Sequence, residues 1–271
     1  MESIFFMPGE YNDIVWDVGT WYIVSGILLL LSSPFSPIPM IGRGGISTVS
    51  VLGTMLLGLV LELVAWLFEI VALIKTRKLE RVSGEGFFST GPLLTIIGIV
   101  LFMMVTVLTL LSYLSASSTV SGGAGGVIYL AIGLIIFGFL GSGILALIGH
   151  ILITIAFWRF GDLNKSDLIQ IGSLVYLFVP IIGYLLIGFA LRGMARKGRE
   201  FLLNATAVDA IKTRLREEFP EGASIDLRDF ARQYDIPPYL LLAMVNHWII
   251  TGELEGVLMK YTYIVKKKQS P

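Results

Sequence analysis

The sequence predicts an all-α polytopic membrane bundle of five or six transmembrane helices followed by a small α+β domain, and three observations carry that prediction. Of 271 residues, 55% are hydrophobic and 15% charged, with mean hydropathy +0.81; a soluble domain carries about 25% charged residues. The apolar residues are gathered into long runs, and about 20 of them are needed to cross the hydrocarbon core of a bilayer. Composition then changes at Arg192, from text rich in Gly, Leu, Ile and Val to the charge-dense RGMARKGREFLLNATAVDAIKTRLREEF. Residues 1–191 are read as the membrane domain, 192–204 as a basic linker and 205–268 as the soluble domain.

Composition excludes several classes. No cysteine is present, which removes disulfide scaffolds and thiolate metal sites. Twenty Lys+Arg balance 20 Asp+Glu, so no overall positive charge draws the chain to nucleic acid. Glu2, Glu10 and Asp13 stand where a secretory signal carries basic residues, and the first apolar run reads as a retained span.

The runs are Ile14–Ser32, Val49–Ile74, Phe88–Tyr113, Gly125–Trp158 and Ile169–Leu191. Pro34, Pro37 and Pro39 close the first, because proline lacks the amide a helix needs. The uncharged stretch Ser115–Gly126 reads as an external connection. The fourth run is long enough for one steeply tilted helix or for two short spans, about 122–140 and 143–158, turning at Gly141-Ser142-Gly143. The positive-inside rule weighs the two. Five spans divide the basic residues six against five. Six spans divide them eight against three, with Arg43, Arg159 and Lys165 outside and both termini in the cytoplasm. Six spans are therefore preferred. An offset of 88 residues aligns Gly53-Thr54-Met55-Leu56-Leu57 with Gly141-Ser142-Gly143-Ile144-Leu145 and predicts two three-span repeats of inverted topology.

Glu62 and Glu69 lie seven residues apart on one face of the second span, and His150 is the other strongly polar group inside a run. A carboxylate at membrane depth costs several kcal/mol unless it is protonated, paired or hydrated. The 88-residue offset makes Glu62 and His150 equivalent, so they are expected to meet as a polar pair able to relay protons or hold a cation. The alternative stays open that Glu62 is a structural hydrogen-bond anchor and Glu69 reaches the interface near Lys75. HExxH, GxSxG, CxxC and GxxxxGK[ST] are all missing from the sequence. An enzyme is not expected, nor is a metal or a cofactor.

In the soluble part, Val208, Ile211, Leu215 and Phe219 recur at helical spacing, and Asp226 caps a second helix carrying Leu227 and Phe230. Pro237-Pro238 opens a third helix, with Leu241, Val245 and Trp248, that stops at Gly252. Strands over 254–259 and 261–265 follow. Three helices and a terminal hairpin predict a winged helix.

The segment IDLRDFARQYDIPPYLLLAMVNHWIITGELEGVLMKYTYIV resembles the winged-helix half of PCI-type domains and of the membrane-anchored ufmylation adaptor with a DDRGK motif. The likeness runs through Leu227, Phe230, Ala231, Ile250, Gly252, Leu254, Gly256, Val257, Tyr261 and Tyr263. Leu258-Met259-Lys260-Tyr261 stands where DDRGK would be. The resemblance implies a protein-binding module. The run ILALIGHILITIAFWRFGDLNKSDLIQIGSLVYLFVPIIGYLLIGFAL is similar to archaeal multi-pass membrane families of no assigned activity, which implies an archaeal source.

A DNA-reading third helix offers Arg, Lys, Gln or Asn to base edges, yet no Lys or Arg occurs between Gln233 and Met259. The face expected to be exposed presents Tyr239, Leu240, Ala243, Asn246 and His247. Nucleic acid is therefore not expected as a partner, and a cytoplasmic protein is. The sequence reading is a multi-pass cell-membrane protein whose cytoplasmic winged helix recruits that partner, as adaptor or sensor. The alternatives are a small-solute, ion or proton transporter using Glu62 and His150, and a membrane-bound transcription regulator.

Overall fold

The computed structural model describes the backbone of residues 7–32, 48–118 and 125–266, and the side chains of 7–32, 60–108 and 138–266. The proline-rich exit at Pro34–Pro39, Arg43, the core of the uncharged connection and the last lysines lie outside these residues. The elements are α1 (Pro8–Ser32), α2 (Thr48–Thr76), α3 (Leu79–Ser83), α4 (Phe87–Ser118), α5 (Gly125–Asn164), α6 (Asp167–Phe178), α7 (Pro180–Leu203), α8 (Ala205–Glu217), β1 (Ser224–Asp226), α9 (Leu227–Gln233), α10 (Pro238–Ile250), β2 (Gly256–Met259) and β3 (Thr262–Val265).

Three helical segments among the described residues are long and apolar enough to cross a membrane: Pro8–Ser32, Phe87–Leu108 and Gly138–Asn164. Their outer faces are apolar at helical spacing. On α4, Leu93, Ile97, Val100 and Met104 are exposed, and on α5, Leu140, Ile144, Leu147, Ile151, Ile155 and Trp158. Continuous stripes of this kind suit lipid and would drive aggregation in water. The chain is a membrane protein.

Two expectations about the spans are corrected. The fourth run does not turn at Gly141-Ser142-Gly143, because α5 is one helix from Gly125 to Asn164. Glycine there serves packing. A Cβ on the facing Gly98 of α4 would stand 2.8 Å from the Ser142 carbonyl oxygen and 2.7 Å from the Ala146 nitrogen, so the two backbones approach as closely as small residues permit. The last run, expected as a single span, is broken at Val179-Pro180. Pro180 cannot donate to an i−4 carbonyl and disfavours helical geometry in the residue before it; Val179 sits at φ −136°, ψ 77°. The chain folds back there. A Cβ on Gly172 of α6 would lie 3.2 Å from the Ile187 nitrogen of α7, so the two helices form an antiparallel hairpin with Phe178 at its tip, 80% exposed. At 1.5 Å per residue, α6 is about 18 Å long, short of the roughly 30 Å of hydrocarbon.

The directions of the helices follow from their contacts. α1 packs antiparallel to α7 through Gly19 and Gly188, where a Cβ on either would meet the other's carbonyl oxygen at 2.9 or 2.8 Å. The C-terminal end of α2 lies beside α1, with Lys75 Nζ 2.8 Å from Asp17, and α5 ends at Asn164 against α10. Hence α2 and α5 point to the same end of the bundle. They are parallel, which overturns the inverted repeat expected from the 88-residue offset.

The C-terminal domain has the element order helix, strand, helix, helix, hairpin. Its sheet is antiparallel throughout, in the order β1-β3-β2, with Ile225 opposite Tyr263 and Leu258 opposite Tyr263 on the other side. The Asp226 side chain accepts the Arg228 amide and starts α9. Lys260, at φ 54°, makes the turn between β2 and β3. Leu215, Leu227, Leu241, Val245 and Tyr263 fill the core under the sheet.

Candidate functional site

Two places gather polar groups that the fold would otherwise leave unexplained: one inside the bundle, the other where the C-terminal domain meets its end.

Inside the bundle the acid beside His150 is Glu69 and not Glu62. Glu69 Oε1 lies 3.9 Å from His150 Nε2 and accepts a hydrogen bond from the Tyr184 hydroxyl at 2.8 Å. The expected Glu62–His150 pair is corrected accordingly. Glu62 sits two turns earlier on α2, half-buried, and the parallel course of α2 and α5 brings the later acid level with His150. The alternative that Glu69 reaches the interface near Lys75 also fails, since Glu69 is buried and Lys75 binds Asp17.

His150 Nδ1 is 2.7 Å from the Ala146 carbonyl oxygen. A carbonyl only accepts, so Nδ1 carries a proton, and Nε2 is the nitrogen turned to Glu69. At 3.9 Å the imidazole and the carboxylate are within ion-pair range but beyond hydrogen-bond distance. Tyrosines surround the pair. The Tyr176 ring stacks on His150 at 5.1 Å, and its hydroxyl is 3.5 Å from that of Tyr184. Tyr22 from α1 packs against Tyr184 at 4.8 Å and meets the Thr76 hydroxyl at 3.1 Å. Thr154, one turn beyond His150, has a buried hydroxyl without a hydrogen-bond partner among the described residues.

At the seam, α10 carries the face expected to be exposed. Tyr239, Leu240 and Ala243 are instead buried, which corrects their assignment as a free partner-binding surface. Tyr239 and Leu240 pack on the chain's own bundle: the Tyr239 hydroxyl donates to Asn12 Oδ1 of α1 at 2.7 Å, its amide donates to Asn164 Oδ1 at the end of α5, at 3.1 Å, and Leu240 lies beside Gly198 of α7. Burial raises the Tyr239 hydroxyl far above the usual phenol value, so it remains a donor. Lys197 of α7 reaches Asp235 at 3.0 Å and closes the seam on another side. Of the remaining expected residues, Asn246 is exposed and His247 half-buried. Ala243 and Asn246 line a cavity of about 430 Å³ shared with Tyr11, Gly84 and Tyr261.

Sequence reasoning missed Tyr184, Tyr176, Asn12 and Asn164. Tyrosines eight residues apart on either side of a proline, in an otherwise apolar run, were the available signal for the first two. Asn12 and Asn164 carried none. Among the described residues, no group of three His, Asp or Glu could hold a metal ion. No protein family, curated protein or solved structure matches the chain.

Proposed function

We propose that this protein is a membrane-embedded sensor and adaptor, whose cytoplasmic winged helix is held against the bundle and binds a protein partner when released. The order of three helices, first strand and hairpin, with sheet order β1-β3-β2, supports a winged helix. Sidedness is supported by charge. Lys75, Arg77, Lys78, Arg81, Arg159, Lys165, Arg192, Arg196, Lys197 and Arg199 all belong to the end of the bundle that bears the C-terminal domain. Ten basic residues gathered at one end support the reading that this end, with its domain, faces the cytoplasm. That arrangement corresponds to four crossings and a re-entrant α6–α7 hairpin.

The observation that carries the reading is Tyr239, whose two hydrogen bonds tie the third helix to α1 and to α5. An apolar recognition face covered by the chain's own bundle is a surface whose availability depends on what the bundle does. The test uses the cysteine-free chain: Ala243→Cys should react slowly with a maleimide in native membranes, and Tyr239→Phe should accelerate it. Affinity capture should recover more partner with Tyr239→Phe and none with Leu240→Asp added. Rapid labelling in the otherwise unaltered chain would remove the proposal.

A second reading rests on Glu69 and His150. A buried carboxylate and an imidazole 3.9 Å apart inside the bundle are the kinds of group that proton-coupled transport uses. Proton flux in proteoliposomes, abolished by Glu69→Gln, supports it; absence of flux in both removes it.

A further inference from the structure

A groove of about 630 Å³ runs between the α5–α6 turn, α7 and the α9–α10 turn. Its two sides differ in chemistry. Leu168 on the first turn of α6 and Phe189 on α7 form an apolar part, 43% and 59% exposed. Lys165, Arg196, Lys197 and Arg232 line the other side, with Asp235 as the acid among the lining residues. Lys197 is committed to that acid at 3.0 and 3.2 Å. The other three have only loose acidic neighbours: Lys165 is 3.8 Å from Asp162, Arg196 3.9 Å from Glu200 and Arg232 3.5 Å from Asp229. Exposed pairs at such distances contribute little, and a dianionic or monoanionic phosphate would compete for these cations on favourable terms.

We propose that this groove binds an anionic phospholipid, its phosphate held by Lys165, Arg196 and Arg232 and its acyl chains lying on Leu168 and Phe189. Free phosphate would satisfy the cations and leave the apolar part wet. An acidic peptide would do the same at the level where the bundle enters lipid. Only a molecule charged at one end and apolar at the other fits both sides. Because Arg232 belongs to the C-terminal domain and Lys165 and Arg196 to the bundle, the lipid would hold the domain in its docked position. The inference rests on the membrane and docking reading above, and adds the ligand that governs it.

The full chain is reconstituted in nanodiscs of phosphatidylcholine with phosphatidylglycerol, extracted, and the retained lipids counted by mass spectrometry. Phosphatidylglycerol should be retained in preference to phosphatidylcholine. Arg196→Gln and Arg232→Gln should each lower that preference about fivefold, since a cation near an anionic surface contributes roughly that factor. Arg216→Gln, outside the groove, should leave it unchanged. Equal retention of both lipids, or a double variant matching the unaltered chain, overturns the proposal. Full displacement by inorganic phosphate also overturns it and assigns the groove to a soluble anion. Ala243→Cys labelling in the same nanodiscs separates the two levels: a protected cysteine without lipid preference rejects the lipid alone, whereas a reactive one rejects docking as well.

Discussion

Tyr239 and Asn12 are 227 residues apart in sequence and 2.7 Å apart between side-chain oxygens. Asn12 is buried, so its amide oxygen has no water to replace the hydroxyl. Removing that hydroxyl by Tyr239→Phe should cost about 1–3 kcal/mol of docking, the penalty for stranding a buried polar group. Maleimide labelling of Ala243→Cys should then quicken roughly fivefold or more. An unchanged rate would mean that the bond contributes nothing to docking.

Gly198 of α7 lies under the same contact. A Cβ there would press on Asn12 Oδ1 and stand 3.2 Å from both the Tyr239 hydroxyl and Leu240 Cδ2. Gly198→Ala should loosen docking by about 1–3 kcal/mol through overpacking, although alanine favours the helix itself. The same labelling assay reads it, and a tighter seam would contradict the geometry.

Glu69 accepts from Tyr184 inside the bundle. Glu69→Gln keeps an acceptor of the same shape and should leave thermal stability in detergent nearly unchanged. Glu69→Leu strands the tyrosine hydroxyl and should destabilise by about 1–3 kcal/mol. If the two variants melt alike, Tyr184 has another acceptor.

Asp226 is held below the usual carboxylate range, first by its side-chain hydrogen bond from Arg228 and further by the Arg228 amide. A depressed folded-state value stabilises above the ordinary carboxylate pKa of about 4 and is lost as pH falls through the folded one. Hydrogen exchange in α9 should therefore quicken below about pH 4 in the unaltered chain. Asp226→Asn, which keeps an N-cap oxygen, should lose most of that acid sensitivity while retaining α9 at neutral pH.

Cysteines placed at Lys78, Lys165 and Arg196 should all react from the side that bears the C-terminal domain. Labelling of any one from the opposite side would break the proposed arrangement of four crossings and a hairpin.

The helical membrane part and the order of elements after Asn204 were legible because apolar runs, caps and turn residues act locally. Asp226, Pro238 and Gly252 each announce an element edge through the backbone alone. The span count was not legible. Glycine marks turns in water, but Gly98 and Ser142 use small size to bring α4 and α5 together. Pro180 was passed over within an apolar run, although it is what turns α6 back on α7. The acid beside His150 was misjudged because the 88-residue alignment matched apolar text, which aligns with almost any other apolar text. The burial of Tyr239 and Leu240 was not readable either. A face apolar enough to bind a partner is equally apolar enough to bind its own bundle, and local sequence does not distinguish the two.

The unbroken course of α5 has a mechanical consequence. Forty residues make a rod of about 60 Å, roughly twice the thickness of the oily layer. Its last residue grips the amide of Tyr239, so any tilt of this rod about its far end would carry the third helix of the C-terminal domain along with it.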